Sequence, residues 1–356
     1  LSDALFFWEQ DRKQSFSSYR SKLLSATYQK ELGSVDARVE RITALALAIA
    51  EQVGADAAAV SAAAAQCKND LVTKMVFEFP ELQGLMGGYY ARAAGESAVV
   101  AQAIREHYLP TQQGTAIPSS REGQAIALAD KLDALAGIFA IGQKPTASKD
   151  PYALRRAANG VLRICIEGQL SLDVAALLRA ALAAQPAGKK DPAIHTELVE
   201  FVMERLRALL VTGEVTTEMF EAIKATGVTT PLDFAQRTEA LKSFVALPAS
   251  GNLAAAHKRI RNILKQAGDV SSAIDAARFE HETERSLFAA LSALNLEGDY
   301  SQQLTQLATL REPVDAFFTA VMVNADDPAV RANRLALLAR LDQLCRSVAD
   351  ISLLPG

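Results

Sequence analysis

The feature that most constrains the fold is the spacing of apolar residues, which recur every three or four positions through most of the chain. One such series consists of Val39, Ile42, Leu45, Ile49 and Val53. Ser34 and Asp36, just before it, are residue types that favour a helix start. Alternating strand patterns are scarce, so the sequence predicts an all-α protein.

Prolines mark the predicted ends of two further helices. An alanine-rich run from about Asp56 to Phe79 is followed by Pro80, and another run from near Ser97 is followed by Pro110. Proline lacks a backbone N–H and its ring clashes with the preceding turn. Each run is therefore predicted to be one helix that stops at its proline.

Asp-Pro pairs mark two predicted helix starts, at Asp150-Pro151 and Asp327-Pro328. The carboxylate can accept bonds from free N–H groups, and proline suits the first helical position. Residues 185–192, 227–231 and 247–252 are rich in proline, glycine and polar residues, which predicts loops. These breaks divide the chain at about residues 168 and 236.

Length and composition predict a globular protein of two or three domains, since 356 residues that are half apolar can bury a large core. Three widely separated cysteines predict a reducing compartment. No apolar run is long enough for a membrane span and no signal peptide is evident, so a cytoplasmic location without a membrane partner is predicted. The start at Leu1, without methionine, suggests part of a longer polypeptide.

Two predicted helices carry basic faces. In the helix after Asp150, the apolar side consists of Leu154, Ala158, Val161 and Cys165. The opposite side consists of Arg155, Arg156, Asn159 and Arg163. In the second helix, the apolar side consists of Leu253, Ile260, Ile263 and Leu264. The exposed side consists of Lys258, Arg261, Asn262 and Lys265, and residues 257–265 contain no acid.

A solvated helix surface is the ordinary interpretation of such a face. The functional alternative is that the cations contact successive phosphates, while Asn262 donates to and accepts from a base edge or ribose. Single-stranded RNA loops are suitable targets because their bases are available for stacking and hydrogen bonding. The formal net charge of −4 means that any such contact has to come from local faces.

Several long motifs, in the same order along the chain, closely resemble the β subunit of bacterial glycyl-tRNA synthetase. They are CKNDLVTKMVFEFPELQG (67–84), ALADKLD (127–133), SKDPYALRR (148–156), AHKRIRNIL (256–264), LREPVDAFF (310–318), VMV (321–323) and VADISLL (348–354). The resemblance spans nearly the whole chain. It implies that the chain corresponds to the C-terminal half of that subunit.

The resemblance implies three regions: an HD-like helical domain (1–168), a helical linker region (169–235) and an anticodon-binding helical bundle (236–356). It also implies that the β subunit binds tRNA(Gly), while the α subunit uses ATP and Mg to form glycyl-adenylate and to charge the tRNA. The implied partners are tRNA(Gly), the α subunit and the N-terminal part of the β subunit. No cofactor and no catalytic residue are expected in this chain.

The residues expected to contact tRNA lie on three helices. The first set is Lys258, Arg259, Arg261, Asn262 and Lys265. Arg331 and Arg334, predicted to share the outer face of the helix after Asp327, are secondary candidates. A third set, Arg155, Arg156 and Arg163, could equally form intramolecular ion pairs. The neighbouring Phe317, Phe318, Val321 and Met322 are predicted to pack in the core.

The HD-like region raises an alternative, because active HD phosphohydrolases bind a metal through histidines and a His-Asp pair. Here that pair reads Asn69-Asp70, Asp130 matches the later aspartate, and His107 is the single histidine of the region. A vestigial site without metal is therefore predicted, with Asp70 and Asp130 capping or bracing helices. A metal-dependent phosphohydrolase and a purely structural scaffold that orients the catalytic subunit remain alternatives.

Overall fold

A computed structural model describes residues 2–186, 192–270 and 273–355, and within these ranges the chain is almost wholly helical. The first helices are α1 (Ser2–Asp11), α2 (Arg20–Leu23), α3 (Val35–Val53), α4 (Ala57–Gln66), α5 (Lys74–Glu78), α6 (Leu85–Ala93), α7 (Ala98–Glu106), α8 (Arg121–Ala140), α9 (Leu154–Glu167) and α10 (Val174–Ala183). Two short antiparallel strands, β1 (Thr27–Gln29) and β2 (Gly33–Ser34), precede α3. The predicted all-α class is confirmed.

The later helices are α11 (Pro192–Leu210), α12 (Thr217–Lys224), α13 (Pro231–Val245), α14 (Ser250–Ala267), α15 (Glu282–Ala293), α16 (Tyr300–Ala308), α17 (Arg311–Ala320) and α18 (Pro328–Cys345). Short 3-10 helices occur at Phe16–Tyr19, Asn69–Val72, Pro80–Leu82, Ala276–Arg278 and Ile351–Leu353. Among the helices that the structure describes, none is long and apolar enough to cross a membrane.

Two predicted helix starts are confirmed. Ser34 caps α3, where its hydroxyl accepts from Ala37 N at 3.2 Å. Asp327 caps α18 by accepting from the N–H groups of Ala329 and Val330, with Pro328 as the first helical residue. The predicted loop at 227–231 ends at Pro231, where α13 begins. The predicted loop at 247–252 is too long, because α14 already begins at Ser250. In the predicted loop at 185–192, residues 187–191 lie outside the described residues.

The prediction of one continuous helix from Asp56 to Phe79 is wrong. The run is divided into α4, a 3-10 turn and α5. Lys68, Asn69 and Asp70 are all buried and form tertiary hydrogen bonds, whereas an unbroken helix would not direct three consecutive side chains inward. Thr73 then caps α5 through its hydroxyl.

The prediction that a helix starts at Pro151 is also wrong. α9 begins at Leu154, and Pro151 lies in the turn before it. The Asp150 carboxylate still acts as a cap, but it reaches farther along the chain to accept from Leu154 N at 2.9 Å and Arg155 N at 3.0 Å.

The chain divides into two compact units, Leu1–Leu206 with Thr229–Leu232, and Arg207–Val228 with Asp233–Gly356. In the first unit α8 is the central helix. From Gly123 to Ala140 all of its residues are buried except Ala134, and it packs against α3, α4, α7, α9 and α10. A helix that is buried on every side requires partners for its charged residues.

Those partners come from several neighbouring elements. Asp133 is paired with Arg41 at 2.7 Å, and Lys131 donates to Leu109 O at 2.7 Å. Asp130 is paired with Lys68 at 2.8 Å. The core of the first unit therefore contains a network of compensated charges along one helix.

In the second unit α14 packs against α17, α18 and the 3-10 helix Ile351–Leu353, which also contacts α12. α15 packs against α17 and α18. The core residues on these helices are apolar, among them Leu253, Leu287, Val314, Phe317 and Leu341. This packing fixes the orientation of the exposed side of α14.

Candidate nucleic-acid interface

The helix α14 carries five of the ten residues that the sequence predicts to contact tRNA. Leu253, Ala254, His257 and Ile260 are buried, whereas Ile263 and Leu264 are half-buried near the end of the helix. Lys258, Arg259, Asn262 and Lys265 are exposed. The apolar residues thus anchor the helix and leave a face with three cations and one amide.

Lys258 and Lys265 form no ion pair with any residue that the structure describes. They lie seven positions, or about two helical turns, apart on an exposed face, at a spacing that suits contacts with phosphates of one backbone. Their ammonium groups therefore remain available to a polyanion.

Arg259 has a different setting, because its guanidinium lies over the ring of Phe318 at 4.1 Å from the ring centroid. Phe318 is half-buried on α17, so the aromatic ring restricts the arginine side chain from one side. A guanidinium plane held in this way can donate hydrogen bonds at its edge.

Arg261 is partly engaged within the protein. Although residues 257–265 contain no acid, the fold places Asp342 of α18 and Asp350 against this helix. Arg261 Nη1 donates to Asp350, and Arg261 Nε lies 3.9 Å from Asp342 Oδ1, while 39% of the side chain stays exposed. Its charge is therefore partly compensated, which lowers its value as a phosphate contact.

The buried His257 belongs to the same cluster. Its Nε2 lies 2.8 Å from Asp342 Oδ1. Burial raises the pKa of Asp342, but the hydrogen bond with His257 and the charge of Arg261 outweigh burial and hold that pKa below its usual range. The cluster connects α14 to α18 and fixes the helix that carries the basic face.

Of the two secondary candidates on α18, only Arg331 is exposed. The prediction that Arg334 shares the outer face is wrong, since Arg334 is 3% exposed. Its guanidinium pairs with Glu280 and Glu284, each at 2.8 Å, and donates to Met322 O at 3.0 Å. The residues that enclose Arg334 belong to other segments of the chain. The helical periodicity of α18 does not predict which segments pack against it.

The prediction for the apolar residues beside α17 is only partly correct. Phe317 and Val321 are buried as predicted and Phe318 is half-buried, but Met322 is 76% exposed. α17 ends at Ala320, so Met322 no longer follows the helical spacing on which the prediction rested.

The basic face of α9 is largely engaged in local contacts. Its predicted apolar side is buried, and Arg156 and Asn159 on the other side are exposed. Arg155 donates to Thr146 O at 2.6 Å, and Arg163 donates to Thr115 O at 2.7 Å and pairs with Glu167. Arg155 and Arg163 therefore brace the loops before and beside the helix.

The three residues of the predicted vestigial HD site do not point to one open position. Asn69 Nδ2 donates to Phe16 O at 3.0 Å. Asp70 Oδ2 accepts from Gly84 N at 2.6 Å and Gly87 N at 2.9 Å, so Asp70 braces the start of α6 as predicted. Burial raises the pKa of Asp70 to about 6, opposed by these two backbone bonds.

Asp130 is paired with two cations, Lys68 Nζ at 2.8 Å and Arg38 Nη2 at 3.0 Å. Burial raises its pKa, but Lys68 and Arg38 outweigh burial and hold the pKa of Asp130 well below its usual range. Sequence reasoning missed Lys68. The only signal was its place beside the Asn69-Asp70 pair, in a run that looked like continuous helix.

His107 contacts the same lysine, with Nε2 at 2.9 Å from Lys68 Nζ. Burial and the neighbouring Lys68 charge hold the pKa of His107 well below its usual range. Within the described ranges no group of three or more His, Cys, Asp or Glu residues is arranged to hold a metal ion.

Family models of known proteins match two separate parts of the chain. The family model described as glycyl-tRNA synthetase beta subunit matches residues 1–225, and the DALR anticodon binding domain matches residues 253–351, which include α14 and α18. The "Glycine--tRNA ligase beta subunit" of Ectopseudomonas mendocina is 48% identical over 99% of this chain and 53% of its own length.

Proteins with the same description in Pseudomonas aeruginosa and Chromohalobacter salexigens are each 46% identical over 99% of this chain, and over 53% and 52% of their own lengths. The chain spans about half the length of the curated relatives it matches, and it corresponds to their C-terminal half.

Proposed function

The chain belongs to the glycyl-tRNA synthetase beta subunit family, and from this premise we propose that it holds tRNA(Gly) by the anticodon arm through the exposed face of α14. The observation that carries the proposal is the position of Lys258 and Lys265. Both are exposed, neither is ion-paired with a described residue, and both lie within the region that matches the anticodon binding domain.

The side chains of this face have different proposed tasks. Lys258 and Lys265 neutralise phosphates, which contributes affinity without sequence information. Asn262 reads a base edge or ribose, because an amide can both donate and accept. Arg259, held over Phe318, donates to a base or phosphate from a restricted position, and Arg331 adds a further phosphate contact.

Arg261 is proposed to contribute less than its neighbours, because Asp342 and Asp350 already compensate part of its charge. Arg334 is proposed to act only through the structure of the bundle. On α9, Arg156 remains a candidate for a second tRNA contact, whereas Arg155 and Arg163 are proposed mainly to hold loops.

We also propose that aminoacylation is catalysed by another polypeptide, the α subunit, with its own ATP and Mg, and that the N-terminal part of the β subunit completes the assembly. Of the acids of the predicted HD site, Asp130 is paired with two cations and Asp70 Oδ2 accepts from backbone N–H groups. No residue is therefore assigned a catalytic role, and no cofactor is assigned to the chain.

The test is a tRNA(Gly) binding titration at several salt concentrations with the variant Lys258→Ala/Lys265→Ala. Loss of two phosphate contacts should weaken binding about tenfold and reduce the slope of log K against log salt by about two. The matched control is Lys30→Ala, which removes an exposed lysine from the other compact unit and should leave binding unchanged.

Unchanged affinity and an unchanged salt slope in the double variant would contradict the proposal. Equal binding of tRNAs with unrelated anticodons would remove the claim that the anticodon arm is recognised.

A scaffold that only orients the catalytic subunit is the second candidate function. It is favoured by the internal contacts of Arg155, Arg163 and Arg334, which account for three of the nominated arginines. Under this function the double lysine variant would retain both tRNA affinity and the aminoacylation rate of the assembled enzyme.

A further inference from the structure

Lys68 is the most deeply buried cation in the described part of the first unit, with 1% of its surface exposed. Three groups surround its ammonium. They are Asp130 Oδ1 at 2.8 Å, His107 Nε2 at 2.9 Å and the ring of Tyr108, whose centroid is 3.8 Å away. A buried ammonium needs such partners, because isolated burial of a charge is very costly.

The orientation of the His107 ring resembles that of a metal-binding histidine. Its Nδ1 lies 2.5 Å from Ile104 O, and since a carbonyl oxygen only accepts, Nδ1 carries the proton. The lone pair of Nε2 then faces Lys68. Imidazoles that bind metal ions are held in the same way, with one nitrogen bonded to a carbonyl or carboxylate and the other directed at the metal.

A metal ion does not fit beside these two ligands while Lys68 is present. An ion bound to His107 Nε2 and Asp130 Oδ1 would lie about 2 Å from each atom, and the Lys68 ammonium stands at 2.9 and 2.8 Å from the same atoms. The two cations would occupy overlapping volumes, and their charges would repel each other.

The remaining groups of the HD-like region also serve the fold. Arg38 also forms an ion pair with Asp130, at 3.0 Å, and its guanidinium lies 4.2 Å from the centroid of the Tyr28 ring. Asp70 Oδ2 is bound by two backbone N–H groups, and its Oδ1 has no hydrogen-bond partner among the described residues. Asn69 is bonded to a backbone carbonyl.

We propose that the Lys68 ammonium is a built-in replacement for a divalent cation, which connects the turn after α4 to α7 and α8 through His107 and Asp130. The HD-like fold of this chain is then held together by a cation that is covalently part of the chain, and it needs no metal. An ammonium leaves no position for an activated water, so the phosphohydrolase alternative fails at this site. The proposal does not depend on tRNA binding.

The first test uses the wild-type full chain and does not depend on any variant folding. Elemental analysis should find no stoichiometric metal, and thermal unfolding should give the same Tm with and without a chelator. A stoichiometric metal that the chelator removes, with a fall in Tm, would overturn the proposal.

The second test is Lys68→Ala, which leaves His107 and Asp130 facing an empty cation position. Its Tm should fall by roughly 10 °C, since it breaks a buried ion pair. Addition of Zn²⁺ should then recover part of the loss and give one bound ion per chain by titration. If Zn²⁺ does not raise the Tm of Lys68→Ala, then His107, Asp130 and the Tyr108 ring do not form a cation site, and the proposal is overturned.

The matched control is Lys131→Ala on α8. Lys131 is also a buried lysine and is next to Asp130 in sequence, but its ammonium donates to Tyr108 O and Leu109 O rather than to His107 or Asp130. This variant should also lose stability, yet it should gain no Zn²⁺ site. Recovery of both variants by Zn²⁺ would indicate nonspecific metal binding and overturn the assignment.

Discussion

Two arginines of α18, three positions apart, have opposite environments. Arg331 is exposed, whereas Arg334 is buried between Glu280 and Glu284. Glu284 is itself fully buried and also accepts from the N–H groups of Glu280 and His281. The identity of an arginine therefore does not decide its role, because the acids that approach it from other segments determine whether it stays available.

We expect Arg334→Met to lower the stability of the second unit by about 3–5 kcal/mol, because removal of one partner leaves Glu284 buried without its counter-charge. Arg331→Ala, on the exposed side of the same helix, should change stability by less than about 0.5 kcal/mol. Urea unfolding at neutral pH measures both. Equal losses in the two variants would mean that burial of the pair is not what stabilises α18.

The same variant should have a defined dependence on pH. Burial raises the pKa of Glu284, but the Arg334 hydrogen bond and the backbone N–H groups outweigh burial, so the pKa is lowered overall. A lowered pKa contributes stability above the unfolded value that is lost as the pH falls through the folded value. The difference between wild type and Arg334→Met should therefore shrink below about pH 4.5, and a constant difference would argue against Glu284 as the cause.

At the scale of elements, the pair Gly87-Gly88 shows why a glycine can be required inside a helix. α6 and α7 pack closely at this point. A Cβ on Gly88 would lie 2.9 Å from Ala101 O and 2.8 Å from Arg105 Cβ of α7. The glycine therefore allows the two helices to approach closely.

We expect Gly88→Ala to destabilise the first unit by about 1–3 kcal/mol, because the new methyl group meets the backbone of α7. In an exposed helix the same change would stabilise by about 1 kcal/mol, so the sign distinguishes packing from helix propensity. Tyr89→Ala, at an exposed position on the same helix, is the control and should have little effect. A stabilised Gly88→Ala variant would disprove the close approach.

At the scale of the whole molecule, the formal net charge of −4 cannot by itself attract a polyanion. The proposed tRNA contact depends on how the second unit distributes its charges. Among the cations predicted to contact tRNA, Arg261 and Arg334 form ion pairs with acids of the same unit. Lys258 and Lys265 are not paired with any described residue.

A charge-restored variant tests this distribution. Glu51→Gln/Glu81→Gln, at exposed positions in the first unit, returns Lys258→Ala/Lys265→Ala to the wild-type net charge. We expect tRNA(Gly) affinity to remain about tenfold below wild type, because the salt-dependent part of binding counts phosphate contacts rather than net charge. Recovery of the wild-type affinity would mean that overall charge, and not the α14 face, governs binding.

The sequence by itself determined the all-α class, because a period of three to four residues is compatible with one kind of backbone. It also determined local caps such as Ser34 and Asp327, whose side chains bond within three residues. The apolar and exposed sides of α9 and α14 follow from the same period. All these features depend on interactions between residues that are close in sequence.

Only the tertiary structure decided which charged residues are available. Asp342 and Asp350 reach Arg261 across about 80 to 90 positions of the chain, Glu284 reaches Arg334 across 50, and Asp130 reaches Lys68 across 62. Helical periodicity assigns a side chain to a face of its own helix, but it contains no information about which other segment covers that face. For this physical reason the sequence predicts the basic faces of α9 and α14, but it does not predict that Lys68 and Arg334 are buried.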